Sequence, residues 1–529
     1  MAHKVDRKKG ILTSINPSTL QELGQIPLAT PEDVEIAVQN AKAAFPSWAA
    51  LTIQERAKHL IRARDYMLDR VEEICKLLTD EAGKPRSEAL TAEVLVVSDL
   101  INLYTKRAPE LLADRPIPLA NPLLRHLKNA RLAYEPLGVV AVVSPWNYPF
   151  SIPMSGILMS LLAGNTVVFK PASDTAMIGK KIEEILNIGG GLPPGVLNTL
   201  IATGSTMGEK LFSPPVKKVV FTGSTEVGKM VHSIAAKNLI PTVMELGGND
   251  AMIVCHDADV ELAAKGAVWG GFTNCGQVCA SVERIYVHES IHDAFLEQVV
   301  DITSKLRVGY DTGKHDVEIG PLANQSQLET VTAHVQDAVD KGAKVMCGGG
   351  PVDDLPGYFY KPTVLSNCNP TMKVVNEETF GPVLVVIPFK AEAEAIRLAN
   401  DSNYGLTGSV WTKDLTRGLA LARQFQAGSV LVNDVTFSYA LVDTPWQGMK
   451  ESGMGRSHSD DGLLEFVFPK HINIDHSPSM MRRRMWWFPY SPAGYDLLKK
   501  ALWAFLSPKH LPKLFKTVVS SKEARKTLM

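Results

Sequence analysis

Cysteine is scarce in this chain: Cys75, Cys255, Cys275, Cys279, Cys347 and Cys368 are the six among 529 residues. So few thiols exclude a disulfide scaffold and point to a reducing compartment. Net charge is lacking too, a formal −1 at pH 7, which argues against a nucleic-acid binder. The N-terminus, MAHKVDRKKG, is charged and no apolar segment of signal type follows it, so a secretory signal is not expected and a cytoplasmic chain is. With 45% hydrophobic and 21% charged residues, the length suits two or three domains with ample cores.

Charged side chains are missing altogether from residues 136 to 169, a stretch long enough to raise a membrane span. Pro145, Pro149, Pro153, Asn147 and Asn165 oppose that reading. The segment reads instead as a βαβ unit, with LGVVAVVSPW as a buried strand, IPMSGILMSLLAG as a packed helix and NTVVFKP as the next strand. The alternation continues with a helix over 176–188, a strand near 196–201, a helix from about 206, strand KKVVFTG, a helix after GSTEVG and strand TVMELGG. After about residue 250 it begins again: a helix over 259–272, strand ERIYVHE, helices over 290–305 and 325–341, strand VLVVIPF and a helix over 391–400. The expected class is α/β, a Rossmann-like domain followed by a second α/β domain, with parallel doubly wound sheets.

What is present is a set of separated motifs: PWNYP (145–149), FKPAS (169–173), FTGSTEVG (221–228), ELGG (245–248), GQVC (276–279), EETFGP (377–382) and KESGMGR (450–456). Together they resemble the aldehyde dehydrogenase superfamily over roughly residues 10 to 475. A thiol, Cys279, with a carboxylate base, Glu245, suits covalent oxidation of an aldehyde. Thiolate addition gives a thiohemiacetal, hydride loss gives a thioester, and a base-activated water releases the acid. Asn147 is the third catalytic candidate, its amide donating with the Cys279 N–H to the developing alkoxide. Its plainer role is to satisfy the turn between Pro145 and Pro149.

The resemblance also implies NAD or NADP and a set of binding residues. GSTEVG opens a helix after an apolar strand, so Phe221, Gly223, Ser224, Val227 and Gly228 are expected against the pyrophosphate; a plain strand-to-helix turn is the alternative. Lys170 is expected on the adenosine ribose and Glu378 on the nicotinamide ribose, with Phe380 beside it. Pro145, Trp146, Ala172, Gly204, Gly208 and Leu246 complete the expected cofactor set, and no metal is expected. Ser173 stands where strictly NAD-using relatives often carry a glutamate. Without that carboxylate a 2′-phosphate is not repelled, so both NAD and NADP stay open. Glu245 further implies hydrolysis of the thioester, since relatives that pass the acyl group to coenzyme A commonly lack this base.

Two departures from the family pattern stand out. A glutamate that assists proton relay in many relatives is replaced by Phe468, with Glu465 nearby. Cys275, four residues before the thiol, could pair with it reversibly or simply be a small buried residue. The implied organisation is a cofactor domain from 1–117 and 137–247, a catalytic domain over 248–446, an oligomerisation element from 118–136 and 447–475, and an extension over 476–529. A homodimer or homotetramer is expected.

The extension is this chain's own feature. From Ser477 to Met529 it holds eleven Lys and Arg, including Arg482, Arg483 and Arg484, against Asp496 and Glu523. The resulting +9 leaves −10 for the rest. Trp486, Trp487 and Phe488 adjoin the arginines, and a helix is expected to follow with Tyr495, Leu498, Ala501, Leu502 and Phe505 on one face. Basic groups with interfacial aromatics suit an anionic membrane surface; a tail that covers an acidic protein face is the alternative. Medium- or long-chain aldehydes are the expected substrates. A semialdehyde dehydrogenase for a small anionic substrate stays open, with Arg284 as a nearby cation, and so does a non-catalytic membrane-binding scaffold.

Overall fold

A computed structural model of the chain describes residues 3–6, 8–476 and 487–506. The uncharged stretch folds as the strand Val139–Val143, the helix Ser151–Leu162 and the strand Thr166–Lys170, buried almost throughout. Strands covered on both faces need continuous apolar runs, so VVAVV and TVVFK show no alternation. Pro153 is tolerated because it lies in the helix's first turn, where its missing N–H leaves no bond unmade.

The first large sheet runs Gly453–Met454, Thr242–Glu245, Val216–Thr222, Val139–Val143, Thr166–Lys170, Leu197–Thr199. Its last five strands are parallel, and Gly453–Met454 closes one edge antiparallel. From Val139–Val143 the chain winds first one way and then the other. The switch of direction falls beside Val216–Thr222, where ligands sit at the carboxyl ends of open parallel sheets. The second large sheet runs Lys344–Cys347, Thr363–Ser366, Val383–Phe389, Val282–His288, Asp250–Val254, Thr407–Trp411, Ser429–Val432, all parallel except the first.

Several elements differ from the sequence reading. The helix expected from about 206 is only the turn Gly204–Met207 followed by Lys210–Phe212, because Gly208 reverses the chain at φ 52°. The helix from Ala176 is α-helical to Glu183 and then widens into a π turn, Glu184–Gly189. Strand Asp250–Val254 was hidden by its leading charge; Asp250 is buried and accepts bonds from the Thr407 N–H and hydroxyl at 3.0 and 2.5 Å. The N-terminal part holds helices Pro31–Ala49, Ile53–Leu68 and Val71–Ala82, the first two opened by capping boxes at Thr30 and Thr52. A further helix runs from Arg86–Glu88 through a π turn, Ala89–Val94, into Leu95–Leu111.

The chain divides into two compact units, Met1–Leu111 with Pro136–Val467, and Leu112–Glu135 with Phe468–Met529. Both large sheets lie in the first. Segment 447–466, grouped by sequence with the oligomerisation element, pairs inside that unit, Met449–Lys450 against Tyr404–Gly405 and Gly453–Met454 against Thr242–Glu245. The second unit holds the sheet Val467–Asp475, Lys128–Pro136, Arg115–Ile117 and the helix Pro492–Leu506. Arg482, Arg483, Arg484, Trp486 and the tail beyond Leu506 lie outside the described residues. No helix among the described residues is long and apolar enough to cross a membrane.

Candidate active site

Cys279 and Glu245 open on one cavity of about 350 Å³ within the larger unit. Its walls include Ile152, Met159, Trp269, Phe437, Tyr439 and Phe466, and Glu245 is the one charged side chain among the described residues lining it. Trp269 and Phe437 are about half exposed, so they stand at its mouth. Behind the wall His458 is fully buried and packs against Tyr439, ring centres 4.5 Å apart and tilted by 48°. Burial pushes His458 down to about 3, so it adds no cation.

Glu245 ends the strand Thr242–Glu245, and the two glycines after it are set by packing. A Cβ on Gly247 would collide with the Glu378 carboxylate, and one on Gly248 with the Cys279 carbonyl. The backbone thus passes between the two groups that flank it. Ser457 donates its hydroxyl to Glu245 Oε1 at 3.1 Å, while Oε2 has no partner. Burial raises the Glu245 carboxyl to about 8, against the opposing influence of the Ser457 hydroxyl and the nearby Trp446. Burial likewise pushes the Cys279 thiol well up, reinforced by Glu245, Glu378 and Asp250. Each anion opposes the other, so thiol and carboxyl take up charge in turn rather than together.

The loop before the thiol is strained. Asn274, Cys275 and Gly276 take φ values of 51°, 56° and 71° in succession, a conformation two of these residue types enter only at a cost. Gln277 holds the loop, its amide donating to Asn274 O at 3.0 Å and accepting from the Ala323 N–H at 2.8 Å. Asn147 is buried and donates through Nδ2 to Gln277 O at 3.0 Å; Asn274 donates to Asn147 O at 3.0 Å. An amide carries two N–H groups, so one of Asn147's remains for another acceptor. Cys275 is buried, and all six cysteines are unpaired.

The expected cofactor residues fall mostly at the carboxyl ends of the first sheet: Pro145 and Trp146 after Val139–Val143, Lys170, Ala172 and Ser173 at Thr166–Lys170, Phe221 to Gly228 at Val216–Thr222, Leu246 after Thr242–Glu245. The helix Thr225–Lys237 has Ser224 at its N-cap without a side-chain bond. Gly223 precedes it, Val227 is exposed in its first turn, and Gly228 lets the helix close on Leu246, which any Cβ would strike. Lys170 is buried, donates to Pro171 O at 3.0 Å, and is pushed by burial to about 8. A helix N-terminus without a side-chain cap and a lysine, at the carboxyl ends of two strands of one parallel sheet, are the kinds of group that bind a dinucleotide's phosphate and ribose. Gly204 and Gly208 face open space, with nothing within 4 Å of an added Cβ. Glu378 accepts the Gly248 N–H at 2.8 Å, and Trp146 meets Phe380 edge-on at 5.5 Å.

The aldehyde dehydrogenase family model matches residues 4–472. The chain belongs to the aldehyde dehydrogenase family. It is similar to a 4,4′-diapolycopene aldehyde oxidase from Methylomonas sp, 38% identical over 92% of this chain and 90% of that one. It is 35% identical to a chloroplastic betaine aldehyde dehydrogenase from Atriplex hortensis, over 89% and 94% of the two chains. Among solved structures, a betaine aldehyde dehydrogenase from Staphylococcus aureus in complex with NAD+ matches with a TM-score of 0.85 at 32% identity, covering 91% of this chain and 94% of that one. An NADP-dependent enzyme from E. coli matches with a TM-score of 0.84 at 33% identity, covering 89% and 95%.

Against the family pattern, Glu465 is spoken for, because the buried Lys218 donates to it at 2.5 Å. Arg284 is buried and turned away from the cavity; its guanidinium donates to the carbonyls of Asn249, Leu398 and Ala399. Asp174, next to Ser173, pairs with His3 at 2.9 Å. Sequence reasoning missed Ser457, and also Glu283, which is buried and accepts the N–H groups of Thr379 and Phe380 at 3.1 and 2.9 Å. Glu283 thereby sets the loop that carries Glu378. The signal available was an adjacent pair of charges, Glu283 and Arg284, in the buried strand VERIYV. Among the described residues no cluster of His, Cys, Asp and Glu could hold a metal.

Proposed function

We propose that this chain oxidises an apolar aldehyde to its carboxylic acid, using NAD or NADP. The observation that carries the reading is one thiol and one carboxylate facing a cavity whose other described walls carry no charge. Residues 1–117 with 137–247 hold the dinucleotide through Lys170 and Ser224, and residues 248–446 carry the thiol and bring Glu378 to the nicotinamide ribose. When bound, the dinucleotide supplies the hydride acceptor. Cys279 forms the covalent bond to the carbonyl carbon, Asn147 and the Cys279 N–H stabilise the oxyanion, and Glu245 activates the water that cleaves the thioester. A small dianionic or anionic aldehyde would need a cation for its distal carboxylate, and no Lys, Arg or His is found among the described lining residues. A purely structural role gains nothing from a thiol and a base held at one cavity.

The extension is read as a lipid-surface element. Trp487, Phe488, Tyr490, Tyr495 and Leu502 are exposed, and each Lys or Arg near an anionic surface contributes about 1 kcal/mol. Strand Val467–Asp475 is an edge strand with Phe468, Ile472 and Ile474 exposed. Such an edge supports a homodimer or homotetramer. A chain ending at His476 is expected to keep its activity on C2 to C4 aldehydes, to lose activity on C12 to C16 aldehydes, and to stop pelleting with phosphatidylserine vesicles. In the full chain, kcat/KM should rise with chain length and pelleting should fall at high salt. A preference for succinate semialdehyde over the long aldehydes would sink the substrate reading. Equal, negligible pelleting of both chains would sink the lipid reading, and a monomer by sedimentation equilibrium the oligomer.

Cofactor choice rests on Ser173. Its hydroxyl donates to Ala202 O at 3.4 Å, and the neighbouring Asp174 is engaged by His3. Use of NADP is expected to be measurable, and Ser173→Glu should shift the ratio of kcat/KM values toward NAD by about tenfold, since a new carboxylate repels the 2′-phosphate. An unchanged ratio would mean that the 2′ position is read elsewhere.

A further inference from the structure

Lys84 is fully buried, and its ammonium has no hydrogen-bond acceptor. It lies 3.7 Å from Glu93 Oε1, which is also without a hydrogen bond, and 3.8 Å from the centre of the Tyr148 ring. Tyr148 lines the cavity beside Cys279. The other oxygen of Glu93 accepts the N–H groups of Phe150 and Ser151 at 3.2 and 2.6 Å, where the loop PWNYP enters its helix. Glu88, five residues earlier, accepts the Thr273 hydroxyl and the Asn274 N–H, both at 2.9 Å, at the start of the strained thiol loop. Glu93 belongs to the π turn Ala89–Val94 that directly follows Glu88, and two of the turn's residues, Thr91 and Ala92, line the cavity. Such turns re-aim side chains at functional sites.

A buried ion pair without hydrogen bonds is poor value as a stabiliser, because desolvation offsets its attraction. Hydrophobic residues of the same size would hold these helices as well. The two carboxylates, however, each grip the backbone of a different active-site loop, and the one ammonium lies against Glu93 and the Tyr148 ring, with the Glu88 charge acting on it as well. The geometry points to Lys84, Glu88 and Glu93 as a positioning unit that fixes the Asn147 loop against the Cys279 loop, so that oxyanion donor and thiol meet the same carbonyl. This rests on the role given to Asn147 above. Lys84 touches neither substrate nor thiol; it acts through Tyr148 and the loop ends.

The test removes the Lys84–Glu93 pair and leaves Glu88 its bonds to the Thr273 hydroxyl and the Asn274 N–H. In Lys84→Met with Glu93→Gln the glutamine oxygen still accepts the two N–H groups, so the fold is retained and thermal unfolding should stay near that of the wild type. Pre-steady-state hydride transfer is expected to fall by about 100-fold, the order expected for a misplacement near 1 Å, while cofactor Kd and aldehyde KM stay within about twofold. Asn147→Ala is made alone and in the same background. If the unit acts through Asn147, the combined variant is no slower than Asn147→Ala; two factors that multiply would show independent action and overturn the proposal. Wild-type hydride transfer in the paired variant, with unfolding unchanged, would also overturn it. A fast Asn147→Ala instead removes Asn147 from its own role, and the unit is then judged on the paired variant's rate alone.

Discussion

Replacing Cys279 by alanine is expected to abolish aldehyde oxidation, by about 10⁴-fold or more, while the protein still binds its dinucleotide. Cys279 carries the one thiol among the described residues lining the cavity, whereas the residues suited to the cofactor lie mostly at the carboxyl ends of the first sheet, on other loops. Turnover and cofactor titration on one preparation separate the two. The neighbouring Cys275 cannot take over, because it is buried and is not among the described residues lining the cavity. Iodoacetamide should therefore label the wild-type cavity and leave the Cys279→Ala cavity unlabelled. Activity within about tenfold of wild type would remove Cys279 from its role.

Local motifs were legible in the sequence because each is fixed by its own neighbours. ELGG must be ELGG where Gly247 and Gly248 pass between Glu378 and the Cys279 backbone. VVAVV and TVVFK announce strands buried on both faces. What was not legible depends on residues far apart in the chain. Glu283 reads as an ordinary strand carboxylate until it meets the N–H groups of Thr379 and Phe380, and Lys84 as an ordinary lysine after a glycine until Glu93 and Tyr148 close over it. Arg284 lies close to the thiol in sequence, but proximity in sequence says nothing about direction. Its strand turns it onto backbone carbonyls instead. Strand Asp250–Val254 was missed because a buried aspartate at its start breaks the apolar pattern, and only Thr407 explains how that charge is held.

The base gives the second large effect, and its sign follows from burial. The Glu245 carboxyl is raised from 4.5 to about 8, so below that pH the carboxylate that activates water becomes tenfold rarer with each pH unit. Thioester hydrolysis should accordingly rise from pH 6 and level off above about 8. Glu245→Gln cannot accept a proton. Its steady-state rate is expected to fall by about 10²- to 10⁴-fold and to lose the pH dependence, while a burst of reduced cofactor survives because hydride transfer precedes the hydrolytic step. Ser457→Ala is the finer probe. The Ser457 hydroxyl donates to Glu245 Oε1 and favours the charged form, so its loss should move the inflection to higher pH and slow turnover at pH 7 without touching the burst. Burst and steady-state rates that fall by the same factor in Glu245→Gln would show that this carboxylate acts before the thioester forms, on the thiol itself.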